Sequence, residues 1–147
     1  MKKYFIKPSV VTPSVYVDIN SGIIDLRGKC SPENPLKFYN AVTRSLSFVD
    51  DVDLQSELKV NLAFVYFNTS SAKCLYTFLN KLNEMKSNGY KISISWFYEI
   101  GDEDMRESGL DFGSYFNINF TFKEVFEIIP LGIKREKSKY VSSLINK

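Results

Sequence analysis

The sequence predicts an α/β fold: one domain in which a mixed, mostly parallel sheet carries packed helices, with elements in the order β-β-α-β-α-β-α-β. Three observations lead there. The first is an abrupt change of period within residues 60–79. Leu62, Ala63, Phe64, Val65, Tyr66 and Phe67 form an apolar run rich in β-branched and aromatic residues, the composition of a strand covered on both faces. From Ala72 the apolar positions fall at Ala72, Leu75, Phe78, Leu79, Leu82 and Met85, with Lys73, Thr77, Asn80, Lys81, Asn83 and Glu84 between them, which is the spacing of a helix with one buried stripe. The second is strict alternation from Lys91 to Tyr98, where Ile92, Ile94, Trp96 and Tyr98 share one face of a half-covered strand. The third is a pair of strands, Ser14–Ile19 and Ile23–Gly28, joined by Asn20-Ser21-Gly22, residues that tolerate the positive φ of a tight hairpin. Strands joined through helices require right-handed crossovers, hence the parallel part of the sheet.

The remaining elements follow in order. Residues 1–11 read as an extended arm. Lys29 to Pro35 is a loop bracketed by prolines, and Pro35 disfavours helix before it while suiting the first turn of a helix after it. Leu36, Tyr39, Val42, Thr43, Leu46 and Val49 recur at helical spacing, closed by Asp50-Asp51-Val52-Asp53. A strand over 57–67 leads to the helix that ends near Asn88, with Gly89 placed to stop it. Asp102, Glu103 and Asp104 open a further helix, where acids complement the positive end of the helix dipole, with Met105, Gly109, Phe112 and Phe116 on one side. A last strand is expected over 117–128. Beyond Pro130 the composition turns basic: residues 133–147 hold five basic side chains and one acidic one. The expected organisation is a domain over 1–130 and a basic tail over 131–147, whose deletion from Lys134 onward should spare the fold.

Composition narrows the function. A chain of 147 residues, 44% hydrophobic, is the size of one compact domain able to fold without a cofactor. There is no histidine, which removes the commonest general base and metal ligand and any Ser-His-Asp or Cys-His arrangement. The seven glycines are dispersed, so neither a phosphate-binding loop nor a dinucleotide fingerprint is present. Net charge is +2 with signs interspersed, so no basic stripe marks a nucleic-acid track. No apolar run approaches the roughly 18 residues that span a bilayer, and a cytoplasmic protein is expected. Cys30 and Cys74 lack metal or redox spacing and are expected as reduced thiols. Glu99, Asp102, Glu103 and Asp104 are the nearest approach to a cation site, but acids that open a helix serve its dipole first, so neither metal nor cofactor is expected.

What chemistry remains is a cluster of hydroxyls. Asn68, Thr69, Ser70 and Ser71 stand between the strand and its helix, where unpaired backbone N–H groups favour an oxygen or an anion. That pattern suits an ordinary cap, and it suits a phosphate. Asn68-Thr69-Ser70-Ser71 after a hydrophobic strand, preceded by Thr12-Pro13 and Ser31-Pro32-Glu33-Asn34-Pro35 and followed by Trp96, Tyr98 and Asp102-Glu103-Asp104, resembles the SiaC family of bacterial regulatory phosphoproteins over roughly residues 12–128. The resemblance implies a fold similar to the anti-sigma-factor antagonist (STAS) domain. It also implies that Thr69 accepts phosphate from a dedicated protein kinase and returns it to a PP2C-type phosphatase. In that family the unphosphorylated form binds and activates a diguanylate cyclase, linking the switch to cyclic di-GMP and biofilm formation. Glu33, Asn34, Asn68, Ser70 and Ser71 are the residues expected to meet a partner around Thr69. The N-terminal arm and the basic tail depart from the family's pattern. Two other readings compete: an adaptor attached to nucleic acid or membrane through the tail, and a metal-dependent enzyme working through carboxylates.

Overall fold

The computed structural model describes residues 3–47 and 57–133. Its elements are β1 (Lys3–Ile6), β2 (Ser14–Asp18), β3 (Ile23–Cys30), α1 (Pro35–Ser45), β4 (Leu58–Phe67), α2 (Thr69–Ser87), β5 (Ile92–Glu99), α3 (Glu103–Tyr115) and β6 (Asn119–Val125). The six strands form one sheet in sequential order, antiparallel from β1 to β3 and parallel from β3 to β6.

Sequential order has a consequence for the layers. When each crossover is right-handed and each step goes to the neighbouring strand in one direction, every crossover helix lands on the same face. Burial agrees. Val17, Ile24, Val60 and Ile94 form one cross-strand row, and all are fully buried together with Leu75, Phe78, Leu79 and Leu82 of α2 and Val42 of α1. Met105 brings α3 into the same core. The opposite face carries Tyr16, Asp25, Asn61, Ser95 and Thr121 in one row and Ser14, Arg27, Ala63, Phe97 and Lys123 in the next. Arg27 pairs with Asp25 at 3.1 Å and lies 5.2 Å over the Phe97 ring.

One-sided helices correct two expectations. β4 is not covered along both faces: Lys59, Val65 and Tyr66 are exposed, because among the described residues no helix lies on the second side. The last strand stops at Val125, and the chain then crosses back over that second face. Ile128 N–H donates to Glu99 Oε2 at 2.9 Å, and Leu131 N–H donates to the buried Ser14 Oγ at 2.9 Å. Pro130 rests on Gly28, where an added Cβ would lie 2.9 Å from the proline ring and the φ of 129° already favours glycine. Leu131 and Gly132 therefore still touch the sheet; 134–147, the rest of the expected tail, lie outside the described residues, as do Val49 and Asp50 to Asp53.

The N-terminal arm is also corrected. Lys3–Ile6 pairs antiparallel with β2, and Tyr4 Oη donates to the Ala41 carbonyl of α1 at 3.4 Å. Four residues are too few to show a period, so the strand was invisible as a pattern. Elsewhere local chemistry agrees with the reading. Gly22 (φ 71°) completes the hairpin turn, donating from its N–H to Ile19 O at 3.1 Å. Gly89 (φ 102°) ends α2, with its N–H on Lys86 O and that of Tyr90 on Met85 O. Trp96 is fully buried, its Nε1–H donating to Met105 O at 3.0 Å, and α3 passes so close that a Cβ at Gly109 would sit 2.5 Å from the indole.

Candidate functional site

Parallel strands β3, β4 and β5 each hand the chain to a helix at their carboxyl ends, so the N-termini of α1, α2 and α3 gather at one end of the sheet. This brings Glu33 and Asn34 to the same end as Asn68 to Ser71, although more than thirty residues separate them. Backbone bonds join the loops there: Asn68 N–H donates to Cys30 O at 3.2 Å, and Ser31 N–H to Val11 O at 2.8 Å, beside Thr12 and Pro13.

Asn68 is extended (φ −83°, ψ 171°), and its Oδ1 accepts from Ser71 N–H at 2.9 Å. It is the cap, which makes Thr69, Ser70 and Ser71 the first turn of α2 rather than a linker before it. A helix repeats every 3.6 residues, so these three hydroxyls point in different directions. Thr69 and Ser70 face solvent; Ser71 is fully buried. Ser71 stands four residues before Leu75 and seven before Phe78, on the buried stripe, and that spacing was available in the sequence.

Beneath the turn, Cys30 Sγ–H donates to Ser71 Oγ at 3.6 Å, and the sulfur meets Tyr39 Oη at 3.4 Å. Burial raises the Cys30 thiol above its usual range and pushes the Tyr39 phenol well above its own. Both groups hold their protons at neutral pH and cannot serve as bases toward the hydroxyls above. Both cysteines are free thiols.

The other expected site residues separate by role. Asn34 Oδ1 accepts from Lys37 N–H at 3.2 Å, so Asn34 caps α1 while remaining exposed beside exposed Glu33. Asp102 Oδ1 accepts from Met105 N–H at 3.1 Å, with Glu103 and Asp104 in the first turn of α3, so the acidic run starts a helix. Among the described residues no three His, Cys, Asp or Glu side chains are grouped to hold a metal ion, and no helix is long and apolar enough to cross a membrane. Sequence reasoning passed over Lys73 and Tyr76, which follow Thr69 by four and seven residues on one face of α2. Tyr76 is exposed and packs edge-on against Tyr115, ring centres 5.9 Å apart. Lys73 borders a groove of about 130 Å³ between α1 and α2, with Leu36, Asn40, Thr43 and Cys74.

The exposed hydroxyls of Thr69 and Ser70 thus crown a capped helix of an α/β domain, with the protonated Cys30 and Tyr39 beneath them. Residues 6–125 match the model of the SiaC family regulatory phosphoprotein, and the chain belongs to that family. Its fold is similar to that of SiaC in the crystal structure of the diguanylate cyclase SiaD in complex with its activator SiaC from Pseudomonas aeruginosa: TM-score 0.76, 25% identity, covering 83% of this chain and 99% of that one. Apo-SiaC from the same organism gives a TM-score of 0.74 at 25% identity, covering 84% and 99%. An uncharacterized protein of P. aeruginosa strain UCBPP-PA14 is 29% identical over 103 residues, 69% of this chain and 79% of its own length.

Proposed function

We propose that this chain is a non-enzymatic cytoplasmic regulator that binds a diguanylate cyclase in its unmodified form and is switched by phosphorylation of Thr69. A protein kinase would add the phosphate, a PP2C-type phosphatase would remove it, and the output would be cyclic di-GMP signalling and biofilm formation. The observation that carries the reading is the first turn of α2: in a member of a family of regulatory phosphoproteins, Thr69 is exposed at the sheet end that also carries Glu33 and Asn34, while Ser71 is sealed beneath it. A phosphate brings roughly −1.5 to −2 charges, which a helix N-terminus stabilises, so modification alters the surface without unfolding the domain. Glu33, Asn34 and Ser70 are the exposed neighbours through which a partner would sense that charge; Asn68 and Ser71 would hold the turn in shape. The two groups beneath the hydroxyls, Cys30 and Tyr39, are kept protonated by burial and offer them no base, which favours a substrate of a kinase over a catalyst.

Incubation with the cognate kinase followed by site-resolved mass spectrometry tests the acceptor. Phosphate on Thr69, absent from Thr69→Ala, is the expected result. Modification confined to Ser70 would overturn the assignment.

A further inference from the structure

We propose that Lys73 is the internal counter-charge of phosphothreonine at position 69, drawing the phosphate down along α2; this rests on the reading of Thr69 above. The two residues are four apart within one helix, so their side chains lie one above the other, with roughly 6 Å between Cβ atoms. An anion placed N-terminal to a cation at this spacing is the favourable order, and here the phosphate alone gains from the positive end of the helix dipole, since Lys73 lies one turn into the 19-residue helix. Thr69 and Lys73 are both exposed, and among the described residues Lys73 forms no ion pair. Its backbone is held within the helix, with Thr77 Oγ1 donating to its carbonyl at 3.3 Å.

Among the described residues of α1 and α2 no carboxylate competes for Lys73 nearby, and the exposed Glu33 of the loop before α1, at the same end of the sheet, forms no ion pair with it. The groove it borders is lined by Leu36, Asn40 and Thr43 of α1 and by Cys74 and Thr77 of α2, with Tyr39 the titratable group on the α1 side. The charged side chains of α1 itself are Lys37 and Arg44, both cations. On α2 the nearest carboxylate is Glu84, three turns further on. Pairing with the phosphate therefore takes the Lys73 ammonium away from the groove wall. Modification then changes two places at once: it adds negative charge at residue 69 and removes a free cation between α1 and α2.

The test uses the full chain with phosphothreonine placed at position 69 by genetic encoding, so no kinase is needed. Phosphorus NMR titration reads the second ionisation of the phosphate, ordinarily near about 6. It should lie roughly 0.2–0.4 pH unit lower with Lys73 present than in Lys73→Gln, and Lys73→Arg should restore the lower value. Equal ionisation in all three proteins would overturn the proposal. That outcome would leave Thr69 as acceptor untouched, whereas a kinase that ignores Thr69 would leave the titration unaffected.

Discussion

The thiol of Cys30 on β3 donates to the hydroxyl of Ser71, the third residue of α2, across 3.6 Å. With the thiol proton committed there, the Tyr39 hydroxyl of α1 donates to the same sulfur at 3.4 Å. One strand and two helices are thus joined beneath the turn that carries Thr69. Ser71→Ala should cost about 1 kcal/mol of stability, the usual worth of a buried hydrogen bond, while exposed Ser70→Ala stays within about 0.5 kcal/mol. Urea unfolding of the two variants measures the difference.

The same network sets an alkaline limit. Cys30 and Tyr39 are raised above 9.0 and 10.0 respectively by burial, so the folded chain keeps protons that the unfolded chain releases. Stability is complete below about pH 9 and falls as pH rises toward the folded values, because the unfolded state then binds fewer protons. Thermal melts between pH 8 and 11 should show this decline, and Tyr39→Phe should flatten it.

Gly109 and Gly113 lie on the same helix yet should respond oppositely. A Cβ at Gly109 would overlap the Trp96 ring at 2.5 Å; one at Gly113 would meet Phe120 and Phe122 at an ordinary 3.4 Å. Gly109→Ala should cost roughly 1–3 kcal/mol or more through overpacking, whereas Gly113→Ala should be neutral or gain up to about 1 kcal/mol of helix propensity. Chemical denaturation of both, monitored by Trp96 fluorescence, checks the order.

Ending the chain after Val125 keeps all that the family model matches but removes Ile128, Pro130 and Leu131 from the second face of the sheet. It also strips buried Ser14 Oγ of the N–H that donates to it and uncovers Gly28, on which Pro130 rests. The shortened chain should melt several degrees below the full one. Coincident melts would show that the returning segment adds nothing.

The parts of the fold written as period or punctuation were legible. The shift from strand to helix at Phe67, the alternation from Ile92 to Tyr98, the turn at Gly22 and the stop at Gly89 are local chemistry that a single chain states directly. What it did not state is long-range. β1 draws its order from pairing with β2 and from Tyr4 on α1, not from its own four residues. The open second face follows from strand order, which no local pattern contains, so the apolar run through Tyr66 looked doubly covered. At the site composition showed the cluster but not its division, since Asn68 to Ser71 are alike; the division lay in the spacing of Ser71 from Leu75 and Phe78, which turns Ser71 inward while leaving Thr69 outside.

The most direct measurement is the affinity of the full chain for a diguanylate cyclase before and after stoichiometric phosphorylation at Thr69, with Thr69→Ala carried through the same treatment. Thr69 is exposed and Asn68 supplies the cap, so the alanine variant should lose no more than about 1 kcal/mol of stability and bind as the unmodified chain does. Thr69→Asp, with one charge and one oxygen fewer than phosphate, should weaken binding only partly. Phosphorylation should weaken it about tenfold or more, a change of about 1.4 kcal/mol, and leave the treated alanine variant unaffected. Equal affinity for the phosphorylated and unphosphorylated chains would contradict the switch.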